Sequence, residues 1–236
     1  MNDGGEEIRR LDPDIGRLVL QTVPNLRVVR SDDGVWYDAV LNKCDIGANN
    51  NKYYGLQLLS NSTHYYGWYK WGRVGVPCSG AKLDGPFASL DAAAQRFFRK
   101  YKHKTGTMFG EPTAPDGIVA GKYAPVQVEA TASISNVPIP PVDVPLGIPS
   151  LHQIQQGRKI LDAIDKKLSR NIGSDSLEDL SSQFYTAIPH SFGWKRPKSI
   201  STRNELQLRY DLCNALVDHL HSKVRSAAAA SVDSCS

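Results

Sequence analysis

His64-Tyr65-Tyr66-Gly67-Trp68-Tyr69-Lys70-Trp71-Gly72-Arg73-Val74-Gly75 is the stretch whose reading decides the fold of this chain. Successive side chains of a strand alternate between faces. On that basis Tyr65, Tyr69, Trp71 and Arg73 share one face, and Tyr66, Trp68, Lys70 and Val74 share the other. Gly72 and Gly75 let another backbone come close and end the run. Two readings follow. In one, the aromatics fill the core of a small sheet, as aromatic strand residues usually do. In the other, the end of the strand is a ligand face, where the Trp71 ring stacks on a nucleotide and Arg73 holds phosphate or sugar.

The residues upstream read as more strands. Leu26 to Arg30 and Val35 to Leu41 flank Ser31-Asp32-Asp33-Gly34, whose Asp-Gly favours a tight hairpin turn. Asn42 to Asn51 is a polar loop, Lys52 to Leu59 a strand, and Asn61-Ser62-Thr63 a turn into the aromatic strand. Four strands joined by short turns predict an antiparallel meander. Within them lie Trp36-Tyr37-Asp38-Ala39-Val40-Leu41-Asn42, Asn49-Asn50-Asn51-Lys52-Tyr53-Tyr54-Gly55-Leu56-Gln57-Leu58-Leu59 and Trp71-Gly72-Arg73-Val74-Gly75. In this order and spacing they resemble the WGR domain of the poly(ADP-ribose) polymerase family, from Asn25 to Val128. The resemblance implies that Trp71 stacks on a sugar or base at a DNA terminus. It also implies that Asn51, Lys52 and Arg73 contact phosphates and a neighbouring helical domain.

Composition permits this reading without demanding it. The 236 residues carry a net charge of +4, only mildly basic. No run reaches the length of a membrane span, and Met1 to Arg10 does not read as a signal sequence. Cys44, Cys78, Cys213 and Cys235 are scattered, so the expectation is unpaired intracellular thiols with no zinc site.

Past the aromatic strand, Val76 to Pro86 reads as a loop. Ser89 then caps a helix from Ala92 to Lys104 that stops before Gly106. Leu90, Ala94, Phe97, Phe98 and Tyr101 fall on one side, fit to pack on the sheet. Arg96 and Arg99 belong to a solvated face. Lys104 matches a family segment that lies near the DNA backbone, although His103 and Phe109 replace the family's Asp and Trp. Gly121-Lys122-Tyr123 matches a further family segment, which returns to the sheet as a last strand. For Tyr123, packing and DNA contact both stand.

Five prolines between Ala130 and Pro149 forbid helix and predict an extended linker. Three helices follow. Ser150 with Gln153 opens the first as a capping box, with Leu151, Ile154, Leu161, Ile164 and Leu168 as its apolar stripe. Ser176 with Asp179 opens the second, which Pro189 ends. Thr202 with Glu205 opens the third. Phe184-Tyr185-Thr186-Ala187-Ile188-Pro189-His190-Ser191-Phe192-Gly193 resembles the α-helical regulatory domain of the same polymerases, in shortened form. His190 has no carboxylate or nucleophile that the sequence can place beside it, so it reads as an interface residue and not a general base.

The expected fold class is α+β: a small antiparallel sheet with one packed helix, then a Pro-rich linker and a partial all-α domain. The expected boundaries are a flexible segment 1–23, a WGR domain 24–130, a linker 131–149, a helical domain 150–225 and a disordered tail 226–236. The site reading is DNA binding by Asn51, Lys52, Trp71, Arg73, Lys104 and Tyr123, interdomain contact by Arg73 and His190, and no catalytic residue or metal. The expected partners are DNA ends or nicks in the nucleus and a polymerase catalytic domain in cis or trans, with no membrane. No cofactor is expected, NAD being bound only if a catalytic domain exists elsewhere. The alternative reading is the regulatory part of a DNA-dependent NAD ADP-ribosyltransferase.

Overall fold

A computed structural model describes residues 8–111, 118–126, 149–170 and 174–233. Among the described residues six strands and five helices follow one another: β1 (Arg27–Val28), β2 (Asp38–Asp45), β3 (Asn50–Ser60), β4 (Tyr65–Arg73), β5 (Gly80–Phe87) and β6 (Ala124–Val126). The helices are α1 (Arg17–Thr22), α2 (Leu90–Thr105), α3 (Leu151–Ser169), α4 (Ser174–Ala187) and α5 (Arg203–Asp233). The strands form one sheet in the order β5-β4-β3-β2-β6, with β1 pairing β3. The class is α+β, as the sequence predicts.

The residues separate into two compact units. The first takes Tyr53–Gly72 with the described residues of Met1–Leu41 and Pro77–Pro112. Here the alternation along β4 holds. Tyr66 and Trp68 join Ile15, Leu26, Val28 and Leu59 in one buried cluster. Tyr69 and Trp71 lie on the opposite face, where Lys100 of α2 covers the Tyr69 ring at 5.2 Å. The α2 helix begins as expected, with the Ser89 hydroxyl accepting from the Ala92 N–H, and it ends at Gly106 in the left-handed conformation. Phe97 and Tyr101 are buried beneath it, and Phe109 packs edge-on to both rings, at 5.0 and 5.2 Å. Phe109 is thus a partly buried packing aromatic of this unit.

Two expectations for this unit fail. The loop expected at Val76 to Pro86 contains strand β5, paired to β4 from Phe87 opposite Tyr65 to Gly80 opposite Trp71. Gly80, Gly85 and Pro86 disguise it, but β5 is an edge strand, where a residue without an N–H is tolerated. The segment 1–23, expected to be flexible, is tied down at several of its described residues. The Gln57 amide accepts from the Asp12 N–H and donates to the Arg10 carbonyl. Lys70 pairs with both Asp12 and Asp14 at 2.8 Å. Burial opposes the Lys70 charge, but the two carboxylates outweigh it and hold its pKa above the ordinary value. Arg96 likewise finds a partner, Asp84 of β5, at 2.9 Å.

The second unit joins Asn42–Lys52 and Arg73–Val76 to the described residues of Thr113–Ser236. Its core gathers Ile154, Leu161 and Ile164 of α3, Leu177, Phe184 and Tyr185 of α4, and Leu206, Leu212, Cys213 and Leu216 of α5. Cys44 and Ile46, from the hairpin between β2 and β3, complete it. Three helices alone offer little surface to bury, and each further aliphatic side chain removed from water adds about 1.5–3 kcal/mol. The Ser150–Gln153 capping box is present. So is its counterpart at α5, where the Thr202 hydroxyl accepts from the Glu205 N–H and the Glu205 carboxylate accepts from the Thr202 N–H.

Three details of the helices differ from expectation. Leu151 is exposed at the start of α3 and leaves the stripe. The second helix starts at Ser174, before Ser176. The third continues to Asp233, through the tail expected to be disordered, because its alanine-rich end favours helix. The Pro-rich linker lies outside the described residues apart from Pro149.

Candidate nucleic-acid interface

The first unit presents an aromatic step at the end of β4. Trp71 is 40% exposed, and its indole lies against the backbone of Gly80 on the paired strand. Beneath it the buried Tyr54 ring of β3 stacks nearly parallel, 12° between planes and 6.2 Å between centroids. The Lys104 Nζ sits 4.4 Å from the centroid of the same Tyr54 ring. A β-carbon on Gly72 would fall 2.9 Å from the Tyr53 ring, so the glycine after Trp71 leaves space for that neighbour. The arrangement is a half-open indole on an aromatic base, with a cation over the base. It can stack on a flat π-surface and attract an anion beside it.

Two residues along the strand, Arg73 belongs to the second unit and is committed there. Its Nε–H donates to the Gly193 carbonyl at 2.6 Å, and Nη1 donates to the Asn49 carbonyl at 2.7 Å. Nη2 donates to the Lys195 carbonyl at 2.7 Å and to Asn49 Oδ1 at 3.1 Å. Four of the five N–H groups of a guanidinium are thereby used. The phosphate contact expected of Arg73 is corrected accordingly: its fork holds backbone carbonyls. The Gly75 turn has φ +81°, and a β-carbon there would collide with Ser191 Oγ.

Asn51 is also corrected. It is 0% exposed, and its Nδ2 donates to the His190 carbonyl at 2.9 Å, so its side chain cannot reach a phosphate. Asn42 acts in the same way, donating to the carbonyls of Tyr185 and Thr186. The Thr186 hydroxyl accepts from the Cys44 N–H at 2.9 Å. Short polar side chains of the β2–β3 hairpin are thus sewn to the end of α4. His190 is fully buried, stacked on Phe192, and donates through Nδ1 to the Ile188 carbonyl at 2.6 Å. Burial, helped by the Arg209 charge, depresses its pKa from the ordinary 6.5 to about 3. It is a neutral packing group.

The WGR domain family model matches residues 37–115, and the regulatory domain model of poly(ADP-ribose) polymerase matches residues 128–230. The chain belongs to the poly(ADP-ribose) polymerase family. It is 31% identical to the "Protein mono-ADP-ribosyltransferase PARP3" of Mus musculus, over 77% of this chain and 43% of that protein. It is 29% identical to the "Poly [ADP-ribose] polymerase 2" of Arabidopsis thaliana, over 80% of this chain and 37% of that protein. With the "Poly [ADP-ribose] polymerase 1" of Danio rerio it shares 27% identity, over 88% of this chain and 24% of that protein. The chain therefore spans less than half the length of these relatives.

The remaining site residues of this polymerase-family chain fall as follows. Lys52 is exposed and has no ion pair among the described residues. Tyr123 is half-buried just before β6, and burial raises its phenol, which suits packing. Four contributors escaped the sequence: Tyr54 as the base under Trp71, Asn49 as an acceptor for Arg73, and the carbonyls of Gly193 and Lys195. Cross-strand distance from Trp71 could have found Tyr54; backbone acceptors carry no residue signature. Among the described residues, no group of three His, Cys, Asp or Glu could hold a metal, and no helix is long and apolar enough to cross a membrane. Cys44, Cys78 and Cys213 are free thiols, with burial pushing Cys44 and Cys213 up to about 12.

Proposed function

We propose that this chain binds broken ends of duplex DNA through its WGR domain and passes occupancy to its regulatory helices. One observation carries the reading: Trp71 stands half-open on Tyr54 at the end of β4, while Arg73 on the same strand is locked to the regulatory loop. An exposed ring of this kind suits a sugar or base at a terminus, which an intact duplex does not offer. Lys104, beside the aromatic step, and the exposed Lys52 supply phosphate contacts. Tyr123 and His190 pack, and Arg73 is the interdomain residue. The reading places the chain in the nucleus, in DNA damage sensing or repair, and assigns it no catalytic step of its own. It keeps the expected boundaries: a WGR domain 24–130, a linker 131–149 and a helical domain 150–225.

Anisotropy titrations of the whole chain against a nicked duplex and an unbroken hairpin-closed duplex test the proposal. It expects the nicked duplex to bind at least tenfold tighter, the usual worth of one good stacking contact at about 1–3 kcal/mol. Equal affinities would refute break recognition.

The short coverage of the relatives favours a second reading, in which this stretch is the sensor and relay of an NAD ADP-ribosyltransferase. A polymerase catalytic domain, in cis or in trans, is then its functional partner, and NAD binds there.

A further inference from the structure

Trp194 is the most exposed large apolar side chain among the described residues of the second unit, at 79%. Its surroundings are fixed. Phe192 before it and Pro197 after it are buried. Arg73 holds the carbonyls of Gly193 and Lys195, one on each side of it. The Lys195 N–H donates to the Phe192 carbonyl at 3.0 Å, and the Arg196 Nε–H donates to the Ile46 carbonyl at 2.9 Å. The loop thus holds an indole outside on a backbone tied from both directions, so a ligand that stacks on it orders little new chain.

The charge around the ring is mostly positive. Lys195, Arg196 and Lys198 are exposed, and Lys52 is one residue from the Asn51 that grips the His190 carbonyl. Among the described residues Arg196 meets one acid, Glu178, at 3.7 Å from its Nη2 and itself partly exposed. Within the loop the other apolar residues are buried, so Trp194 is a lone ring among cations and not the centre of an apolar patch. A protein partner buries a contiguous apolar core. A chain of unpaired nucleotides needs a single π-face with cations for its phosphates, whatever the base.

We propose that Trp194, with Lys195 and Lys198, is a stacking site for an unpaired strand of nucleic acid, separate from the Trp71 step. The ring requires an accessible base face, which a paired strand withholds. The site does not rest on the Trp71 reading, and the experiment keeps the two apart.

The whole chain is titrated with fluorescent oligothymidine and oligouridine of about a dozen nucleotides. The expected result is binding that Trp194→Ala weakens about tenfold or more with either oligonucleotide, while Trp194→Phe retains part of it. Trp71→Ala changes it by less than about twofold, as an independent site should. The exposed pair Lys195→Gln and Lys198→Gln lowers affinity and makes the salt dependence shallower. An oligonucleotide that does not bind, or one that binds the Trp194→Ala and double lysine variants as tightly as the parent, overturns the proposal. The second outcome would make Trp194 a contact for a protein instead.

Discussion

The Nε–H of Arg73 donates to the carbonyl oxygen of Gly193 at 2.6 Å, across 120 positions of the chain. A guanidinium expected to meet phosphate is the tie between the end of β4 and the loop after α4. Its Nη groups extend the tie to Lys195 and Asn49. A planar fork with donors on three nitrogens reaches acceptors that a single ammonium cannot.

Arg73→Ala should therefore loosen the loop 190–196. Hydrogen bonds to a charged group contribute roughly 1.5–3 kcal/mol each and do not add in full, so a loss of about 2–4 kcal/mol is expected. Arg73→Lys should recover less than half of it. Amide hydrogen exchange should show faster exchange at Lys195 in both variants. Protection equal to the parent would show that the tie carries no load.

Asn51→Asp should destabilise more than Asn51→Ala. The alanine loses one buried hydrogen bond, about 1–2 kcal/mol. The aspartate sets a carboxylate against the His190 carbonyl, at a position where Oδ1 has no donor among the described residues. An unpaired buried charge costs several kcal/mol more. Urea denaturation of the three proteins checks the order, and an aspartate variant as stable as the alanine one would contradict it.

How much of this was legible in the sequence depended on distance along the chain. The capping boxes at Ser150 and Thr202, the Ser89 cap and the alternation along β4 are signals within a few residues, and each is present. Strand β5 was hidden because glycine and proline on an edge look like loop. Residues 8–23 looked free because Gln57 and Lys70, which hold them, lie more than forty positions away. The burial of Asn51 was illegible for a similar reason: its partner is a backbone carbonyl 139 positions away.

The burial of His190 predicts a dependence on acid. Folded, it stays neutral down to about pH 3, whereas the unfolded chain takes up the proton near 6.5. Between those values the unfolded state binds more protons, so stability falls as the pH drops, by up to about 1.4 kcal/mol per pH unit. Thermal midpoints from pH 7 to pH 4 should fall for the parent and fall less steeply for His190→Gln. Parallel slopes would remove His190 from the account.

Binding to a nicked duplex should respond only mildly to salt. Lys52 and Lys104 neutralise two phosphates in this account, which gives a log–log slope of about −2. Lys104→Gln should reduce it by about one, and a slope near −6 would indicate a broad basic face instead.

The most direct measurement is the affinity of Trp71→Ala for a nicked duplex at fixed salt, set beside its thermal midpoint. The half-exposed indole contributes little to the core, so the midpoint should hold while affinity drops more than about tenfold. Affinity equal to the parent in a folded variant would contradict the claim that Trp71 reads the DNA end.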